Sequence, residues 1–179
     1  MALGTAKLSL EEFLLLPDRP GADLELSDGE IIEVPPPSKY HMQLQERLSL
    51  LLKTALGSRY HVRFEFSYAV AGDAHRADVG AVSLAKWEQE DKKNLPPSPP
   101  ELLIEILSPS NTTLALNRLR DLCFRNGCLQ FWEVDPDLRI ITIFAPDRDP
   151  HVYRSHSNVP LNAMTDGSEA VAVDEIFAD

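Results

Sequence analysis

The segment ELLIEILSPSN, residues 101–111, restricts the fold more than any other part of this sequence. Its apolar residues fill both faces of a β-strand, as in an interior strand of a sheet that is covered on both sides. The segment therefore predicts an α/β protein in which helices flank the sheet. Glu105 interrupts the apolar run, and its buried carboxylate needs a counter-ion, hydrogen-bond donors, a bound metal ion or a raised pKa.

The other patterns along the chain supply the remaining elements of a mixed β-sheet flanked by helices. We predict helices from a capping box at Ser9 to near Pro17, over residues 39–56 and over residues 111–126. Predicted strands are a hairpin over 23–34, single strands over 62–70, 76–84 and 102–107, and a hairpin over 129–144. The proline-rich stretch 91–100 is predicted to be a surface loop, with Lys92 and Lys93 in solvent, and residues 151–179 a weak strand with irregular structure.

Hydrophobic periodicity also predicts which faces are buried. Strict alternation over residues 62–70 predicts a half-exposed strand whose inner side carries Val62, Phe64, Phe66, Tyr68 and Val70. The inner face of the first long helix is predicted to carry Met42, Leu44, Leu48, Leu51, Leu52 and Ala55. That of the second is predicted to carry Ala115, Leu119, Leu122 and Cys123.

Charge and cysteine content limit the classes of partner and compartment. The net charge of −11 counts against broad nonspecific binding to a polyanion, but it is compatible with a nuclease whose acidic site collects divalent cations. Cys123 and Cys128, the two cysteines, lack the spacing of a zinc or redox motif and are expected to be reduced and partly buried. No apolar run is long enough for a membrane span and no secretory signal is evident, so we expect a cytoplasmic protein with no membrane partner.

Three acidic residues are candidates for one site. Asp78 precedes Val79 in a strand expected to lie beside residues 102–107, so its carboxylate and that of Glu105 are predicted to be about 5 Å apart across the strand spacing. Glu25, on the first hairpin, is the third candidate. Two carboxylates held that close repel unless a cation or a proton lies between them, and magnesium or manganese prefers such oxygen ligands. Taken singly, each acid is as consistent with a structural ion pair as with a metal ligand.

Four blocks in order resemble one family: LELSDGEIIEVPPPSKYH, RADVGAV, PPELLIEILSPSN and NGCLQFWEVDP. They are similar to the restriction-endonuclease-like group of the PD-(D/E)xK nuclease superfamily that is abundant in cyanobacteria and long catalogued as a domain of unknown function. The resemblance covers residues 9–145 and implies a single restriction-endonuclease-like domain over 1–179, with a C-terminal extension over 146–179. It implies that Glu25, Asp78 and Glu105 hold Mg²⁺ or Mn²⁺ for hydrolysis of DNA phosphodiester bonds. His41 matches the family's histidine and is a candidate catalytic residue, for phosphate contact or proton transfer.

The sequence departs from that family at the catalytic lysine. Leu107 stands two residues after Glu105, and Leu119 stands at the family's helical lysine position, counted back from the glycine that ends the helix. Leucine can neither stabilise charge on a phosphate nor help to deprotonate water. Arg118 and Arg120 flank position 119 but lie about 100° from it on a helix.

Three interpretations remain open at this point. The first is a metal-dependent DNA endonuclease that lacks its lysine, working as a homodimer by analogy with nucleases that cut two strands with two copies. The second is a non-catalytic nuclease-fold module that binds nucleic acid or protein. The third is an interaction protein whose acids form a structural hydrogen-bond cluster. Retention of the three acids favours the first two, and loss of the lysine favours the second over the first.

Overall fold

The computed structural model describes residues 7–17, 23–89, 94–167 and 169–178. Its helices are α1 (Leu10–Leu14), α2 (Lys39–Leu56), α3 (Leu84–Gln89), α4 (Thr113–Arg125) and α5 (Val173–Ile176). Its strands are β1 (Asp23–Ser27), β2 (Glu30–Val34), β3 (Tyr60–Val70), β4 (Asp73–Ser83), β5 (Leu102–Ile106), β6 (Gln130–Asp135), β7 (Ile140–Phe144), β8 (His151–Tyr153), β9 (Asn158–Pro160) and β10 (Ala170–Ala172).

One mixed sheet organises the described part of the chain. Its strands are hydrogen-bonded in the order β2-β1-β4-β5-β6-β7-β8, and β3 pairs with β4. Strands β5 and β6 run parallel because α4 carries the chain back between them, whereas β4 and β5 run antiparallel. Leucines of α2 cover one face of the sheet, and residues of α4 cover the other. The predicted fold class, an α/β arrangement with a mixed sheet flanked by helices, is confirmed.

Strand β5 has the buried character that its sequence predicts. Leu102, Ile104 and Ile106 belong to the core cluster on the α2 side, and Leu103 belongs to the cluster on the α4 side. Because side chains alternate along a strand, Glu105 is on the same side as Leu103, facing the α4 layer. The acidic residue that disturbs the apolar pattern therefore lies under a helix.

Local signals set the ends of the helices. The Ser9 capping box is present, with Ser9 Oγ accepting the Glu12 backbone N–H and the Glu12 carboxylate accepting the Ser9 N–H. Ser38 caps α2, which ends where Gly57 adopts a φ of +59°. These short-range interactions explain why the helix boundaries were predictable.

Two predicted helix faces need correction. Met42 is exposed rather than buried on α2, whose buried leucines are at positions 44, 48, 52 and 56. On α4 the predicted Ala115 is exposed, and Leu116 is buried together with Cys123. In each case the residue whose burial was wrongly predicted lies in the first turn of the helix.

The predicted alternation of β3 is wrong at its middle. Val62 packs on the α2 side, whereas Phe66, Tyr68 and Val70 pack on the α4 side. Glu65 has a φ of +49°, which reorients the chain and leaves Phe64 41% exposed. The β3–β4 register passes from Phe64↔Val79 to Phe66↔Ala77 and skips the pair formed by Glu65 and Asp78. The irregularity therefore lies opposite a candidate site residue.

Other expectations have mixed outcomes. Short helix α3 follows β4 directly and was not predicted, and the tail is more ordered than expected, with β8, β9, β10 and α5. Lys92 and Lys93 lie outside the described residues, as does part of the predicted loop 91–100. Cys123 and Cys128 are free and buried, as predicted. No helix among the described residues is long and apolar enough to cross a membrane.

Gly80 offers a test of the packing between β3 and β4. A Cβ atom at this position would lie 2.6 Å from Cγ of Phe66, which is buried. We expect Gly80→Ala to lower the free energy of unfolding by about 1–3 kcal/mol, because Phe66 and the strands must shift. Urea denaturation measures the change, and the Phe66→Ala background, which removes Cγ and the ring, is the control: an equal cost in both backgrounds would show that these atoms are not the cause.

Candidate active site

Asp78 is held by donors from two directions. Its Oδ1 lies 2.7 Å from His41 Nε2 and accepts a 2.8 Å hydrogen bond from Gln45 Nε2, and its Oδ2 accepts the Ile106 backbone N–H at 2.7 Å. His41 and Gln45 are four residues apart at the start of α2, so they project from the same face of the helix. The N-cap at Ser38 accepts the His41 backbone N–H at 3.2 Å and fixes this first turn. The Asp78 carboxylate is thus oriented by α2 and β5 together.

Glu105 lies beside Asp78. The β4–β5 register pairs Ala81↔Leu102, Gly80↔Leu103 and Val79↔Ile104, and the next position along both strands places Asp78 next to Glu105. Within the described residues the Glu105 carboxyl has no hydrogen-bond or ion-pair partner. Burial raises its pKa well above the ordinary value, and the negative charges of Asp78, Glu25 and Glu133 raise it further. Of the ways to accommodate this carboxyl group, the described residues supply neither a counter-ion nor a hydrogen-bond donor, which leaves a proton or a bound cation.

Glu25 is close to this pair but is bonded to other groups. Its Oε2 lies 3.0 Å from His75 Nδ1, and its Oε1 accepts the Arg76 backbone N–H at 3.2 Å. These contacts follow from the β1–β4 register, in which Leu26 pairs with Ala74 and the next position sets Glu25 opposite His75. Glu25 acts on Glu105 through its charge, and both of its own oxygens have donors.

A hard divalent cation binds oxygen ligands, and the carboxyl groups of this site are the candidates. Within the described ranges, no group of three or more His, Cys, Asp or Glu side chains is placed to hold a metal ion. Magnesium, however, is commonly held by one or two carboxylates and keeps several waters. Asp78 and Glu105 fit that requirement, because they are adjacent carboxyl groups and one of them lacks a donor. Glu25 could join them only by giving up His75 or the Arg76 N–H.

A fourth acidic residue, Glu133, was missed by the sequence analysis. The parallel β5–β6 register sets Glu133 directly beside Glu105. Its Oε1 accepts a 2.9 Å charge-assisted bond from Arg120 Nη1, and burial nevertheless raises its pKa. The signal was available, since a glutamate within the apolar segment LQFWEV is the same anomaly as Glu105. Gln45 and His75 gave no comparable signal, because only the tertiary structure brings them to Asp78 and Glu25.

The lysine positions of the family hold leucines that pack rather than bind. Leu119 packs against the apolar cluster on the α4 side, and Leu107 lines a cleft at the end of β5. Cys123 lies one helical turn after Leu119. Burial raises the pKa of its thiol to about 12, and the negative charge of nearby Glu105 contributes. Such a thiol is not a nucleophile at neutral pH. Lys7 is the main cause of the lowered pKa of Asp28 in the β1–β2 turn. Arg118 lies near Asp28, and its charge contributes to the same lowering.

Comparisons with known proteins agree with this architecture. The sequence matches a family model described as "Uma2: Putative restriction endonuclease" over residues 10–175. Among solved structures, the chain is similar to "a putative nuclease belonging to DUF820" from Anabaena variabilis, with a TM-score of 0.83, 20% sequence identity and coverage of 96% of this chain and 98% of that one. At that identity the likeness shows the fold, and it confirms the restriction-endonuclease-like architecture. No curated protein matches the sequence.

Proposed function

The chain belongs to the Uma2 family of restriction-endonuclease-like proteins, and on that premise we propose that it is a metal-dependent endonuclease that hydrolyses DNA phosphodiester bonds. The proposal includes Mg²⁺ or Mn²⁺ as the cofactor, DNA as the partner, a homodimer as the working form and the cytoplasm as the compartment. Asp78 and Glu105 are the proposed metal ligands, with Glu25 as the third acid of the site.

One observation carries the proposal: Glu105 is half-buried next to Asp78 without a donor of its own among the described residues. A structural acid would be expected to have a positive partner, as Glu133 has Arg120. An unpaired carboxyl group raises the free energy of the folded state unless it is protonated or binds a cation. A bound cation would satisfy two adjacent carboxyl groups at once, which supports a cation-binding function over a structural cluster.

Each residue of the site has a proposed role. A bound divalent cation would supply Lewis-acid chemistry, which lowers the pKa of water and neutralises charge on phosphate. His41 and Gln45 hold Oδ1 of Asp78, and the Ile106 N–H holds Oδ2, so these groups fix the direction of the carboxylate. His41 is therefore proposed as a positioning residue. Its imidazole is also close enough to the carboxylates to contact a phosphate.

Plasmid nicking tests the proposed function. We expect the purified protein to convert supercoiled plasmid to nicked DNA in Mg²⁺ or Mn²⁺ and to stop when EDTA removes the metal. Asp78→Asn keeps the shape of the side chain but loses its charge and one of its two acceptor oxygens, and we expect it to cut at least tenfold more slowly. Nicking that persists undiminished in Asp78→Asn would point to a contaminating nuclease and contradict the proposal.

The leucines at positions 107 and 119 favour a second candidate, a non-catalytic module that keeps the fold and binds nucleic acid or protein. Calorimetric titration with Mg²⁺ or Mn²⁺ helps to separate the candidates. Metal binding that requires Glu105, with no cutting of plasmid, would support the module. Metal binding together with cutting would support the endonuclease.

A further inference from the structure

Arg120 is a positive side chain of α4 that bonds to Glu133, the strand neighbour of Glu105. It projects from α4 toward β6, where Nη1 bonds to Glu133 at 2.9 Å and Nη2 bonds to Oδ1 of Asn117 at 2.6 Å. Its guanidinium carbon lies 3.8 Å from the centre of the Phe144 ring. The ring and the two oxygens hold the planar group in one orientation, so little further ordering is needed for it to bind an anion.

The Arg120–Glu133 pair borders an open cleft. The cleft has a volume of about 290 Å³ and is lined, besides Arg120 and Glu133, by Leu107 and Ser108 after β5, by Asn117 of α4 and by Phe144 at the end of β7. The side chains of Arg120 and Glu133 remain 15% and 16% exposed, so both groups can be reached from solvent. Glu133 is adjacent to Glu105 on the neighbouring strand, and the cleft therefore borders the proposed catalytic carboxylates.

The charges around the Arg120–Glu133 pair would allow a phosphate to replace Glu133 as the partner of Arg120. Glu133 is one of the negative charges that raise the pKa of Glu105. These charges would repel an anion that enters the cleft unless a positive group binds it. Arg120 can bind such an anion, because the donors of a guanidinium match the geometry of phosphate as well as that of carboxylate. No lysine occupies position 107 or 119. The cationic contribution of the family's lysine is thus missing, and Arg120 is placed to supply a positive charge.

We propose that Arg120 is a phosphate-binding residue, which exchanges Glu133 for a phosphate oxygen of a nucleic-acid strand lying in the cleft. This inference rests on the proposed nuclease function, since the strand is the one presented to Asp78 and Glu105. Arg120 replaces the charge of the absent lysine but not its capacity to take up a proton, because arginine stays protonated. Glu133 then serves as a stand-in for phosphate that holds Arg120 ready in the free protein.

Binding of a fluorescein-labelled DNA duplex, measured by anisotropy with Ca²⁺ in place of Mg²⁺, tests the inference. We expect Arg120→Gln to weaken binding about tenfold and to reduce the slope of log K against log salt by about one. Arg120→Lys is expected to keep the slope, and Arg125→Gln, at an exposed position on the same helix, to stay within about twofold of the wild type. Glu133→Gln is expected to bind about threefold more tightly, because it frees Arg120 from a competing charge.

The opposite behaviour of the two partners separates a phosphate site from a structural ion pair. If the pair is only structural, Glu133→Gln and Arg120→Gln will both lower the melting temperature and weaken DNA binding alike, and the inference is overturned. The inference is also overturned if Arg120→Gln binds DNA as well as the wild type does. It is overturned as well if inorganic phosphate binds at Arg120 without competing with the duplex, since the duplex then does not occupy that site. Arg120-dependent binding without cutting in Mg²⁺ would leave this inference standing and reject the endonuclease proposal.

Discussion

Glu105→Gln is expected to abolish DNA cutting and at the same time to stabilise the fold at alkaline pH. Loss of a metal-binding carboxylate removes several kcal/mol of transition-state stabilisation, which corresponds to a fall in cleavage rate of about 1,000-fold. Glutamine has almost the same shape, so the core packing around Leu103 and Tyr68 should be kept. A single substitution would thus separate the role of Glu105 in function from its effect on stability.

The stability effect follows from the raised pKa of Glu105. Between its ordinary pKa of 4.5 and its higher value in the folded state, the folded protein holds a proton that the unfolded chain has released. The free energy of unfolding contributed by this group therefore falls as pH rises through that window, by at most ~1.4 kcal/mol per pH unit. The loss is complete above the raised pKa. Glutamine does not titrate, so the variant should lack this decline.

Urea denaturation at a series of pH values from 5 to 9 measures the difference between wild type and Glu105→Gln. The gap should widen with pH, and added Mg²⁺ should close it, because a bound cation stabilises ionised Glu105 only in the wild type. Glu46→Gln is the control, since it removes a carboxylate at an exposed position of α2. A gap that does not vary with pH would contradict the raised pKa of Glu105.

Leu119→Lys is expected to raise the rate of DNA cutting about 100-fold, which is the scale of one well-placed charge that stabilises a transition state. Leu119 packs in the α4-side cluster, and Cys123 one turn later is within electrostatic range of Glu105. A lysine here can extend past the cluster to the carboxylates. The buried ammonium should also lower the pKa of Glu105, so the stability of this variant should decline less between neutral and alkaline pH.

Leu122→Lys is the control for Leu119→Lys. Both leucines are partly buried against the same cluster, but Leu122 is three residues farther along α4 and is not at the family's lysine position. We expect Leu122→Lys to be less stable than the wild type and no more active, because its charge has no carboxylate to meet. An equal gain from both lysines would mean that general positive charge, rather than the family's lysine position, increases cutting.

Much of the fold could be predicted from local patterns. Serines that cap α1 and α2, the glycine that ends α2, and the apolar run of β5 act through neighbours in sequence, so no tertiary information was needed to place these elements. The same holds for Glu105, whose charge within an apolar strand is anomalous in any fold. Errors arose where the tertiary structure decides exposure, as at Ala115 in the first turn of α4 and at Phe64 beside the irregular Glu65.

The sequence by itself determined that a carboxylate lies among the apolar residues of a central strand and that the usual lysine is replaced by leucine. Only the tertiary structure decided which groups surround that carboxylate: Asp78 through the β4–β5 register, Glu133 through the β5–β6 register, and His41 with Gln45 through the packing of α2. The reason is that a residue type fixes the desolvation free energy of its own charge, whereas its partners depend on strand register and helix packing between segments far apart in the chain. The pairing of Arg120 with Glu133 likewise depends on the tertiary structure, because it joins a helix to a strand across the cleft.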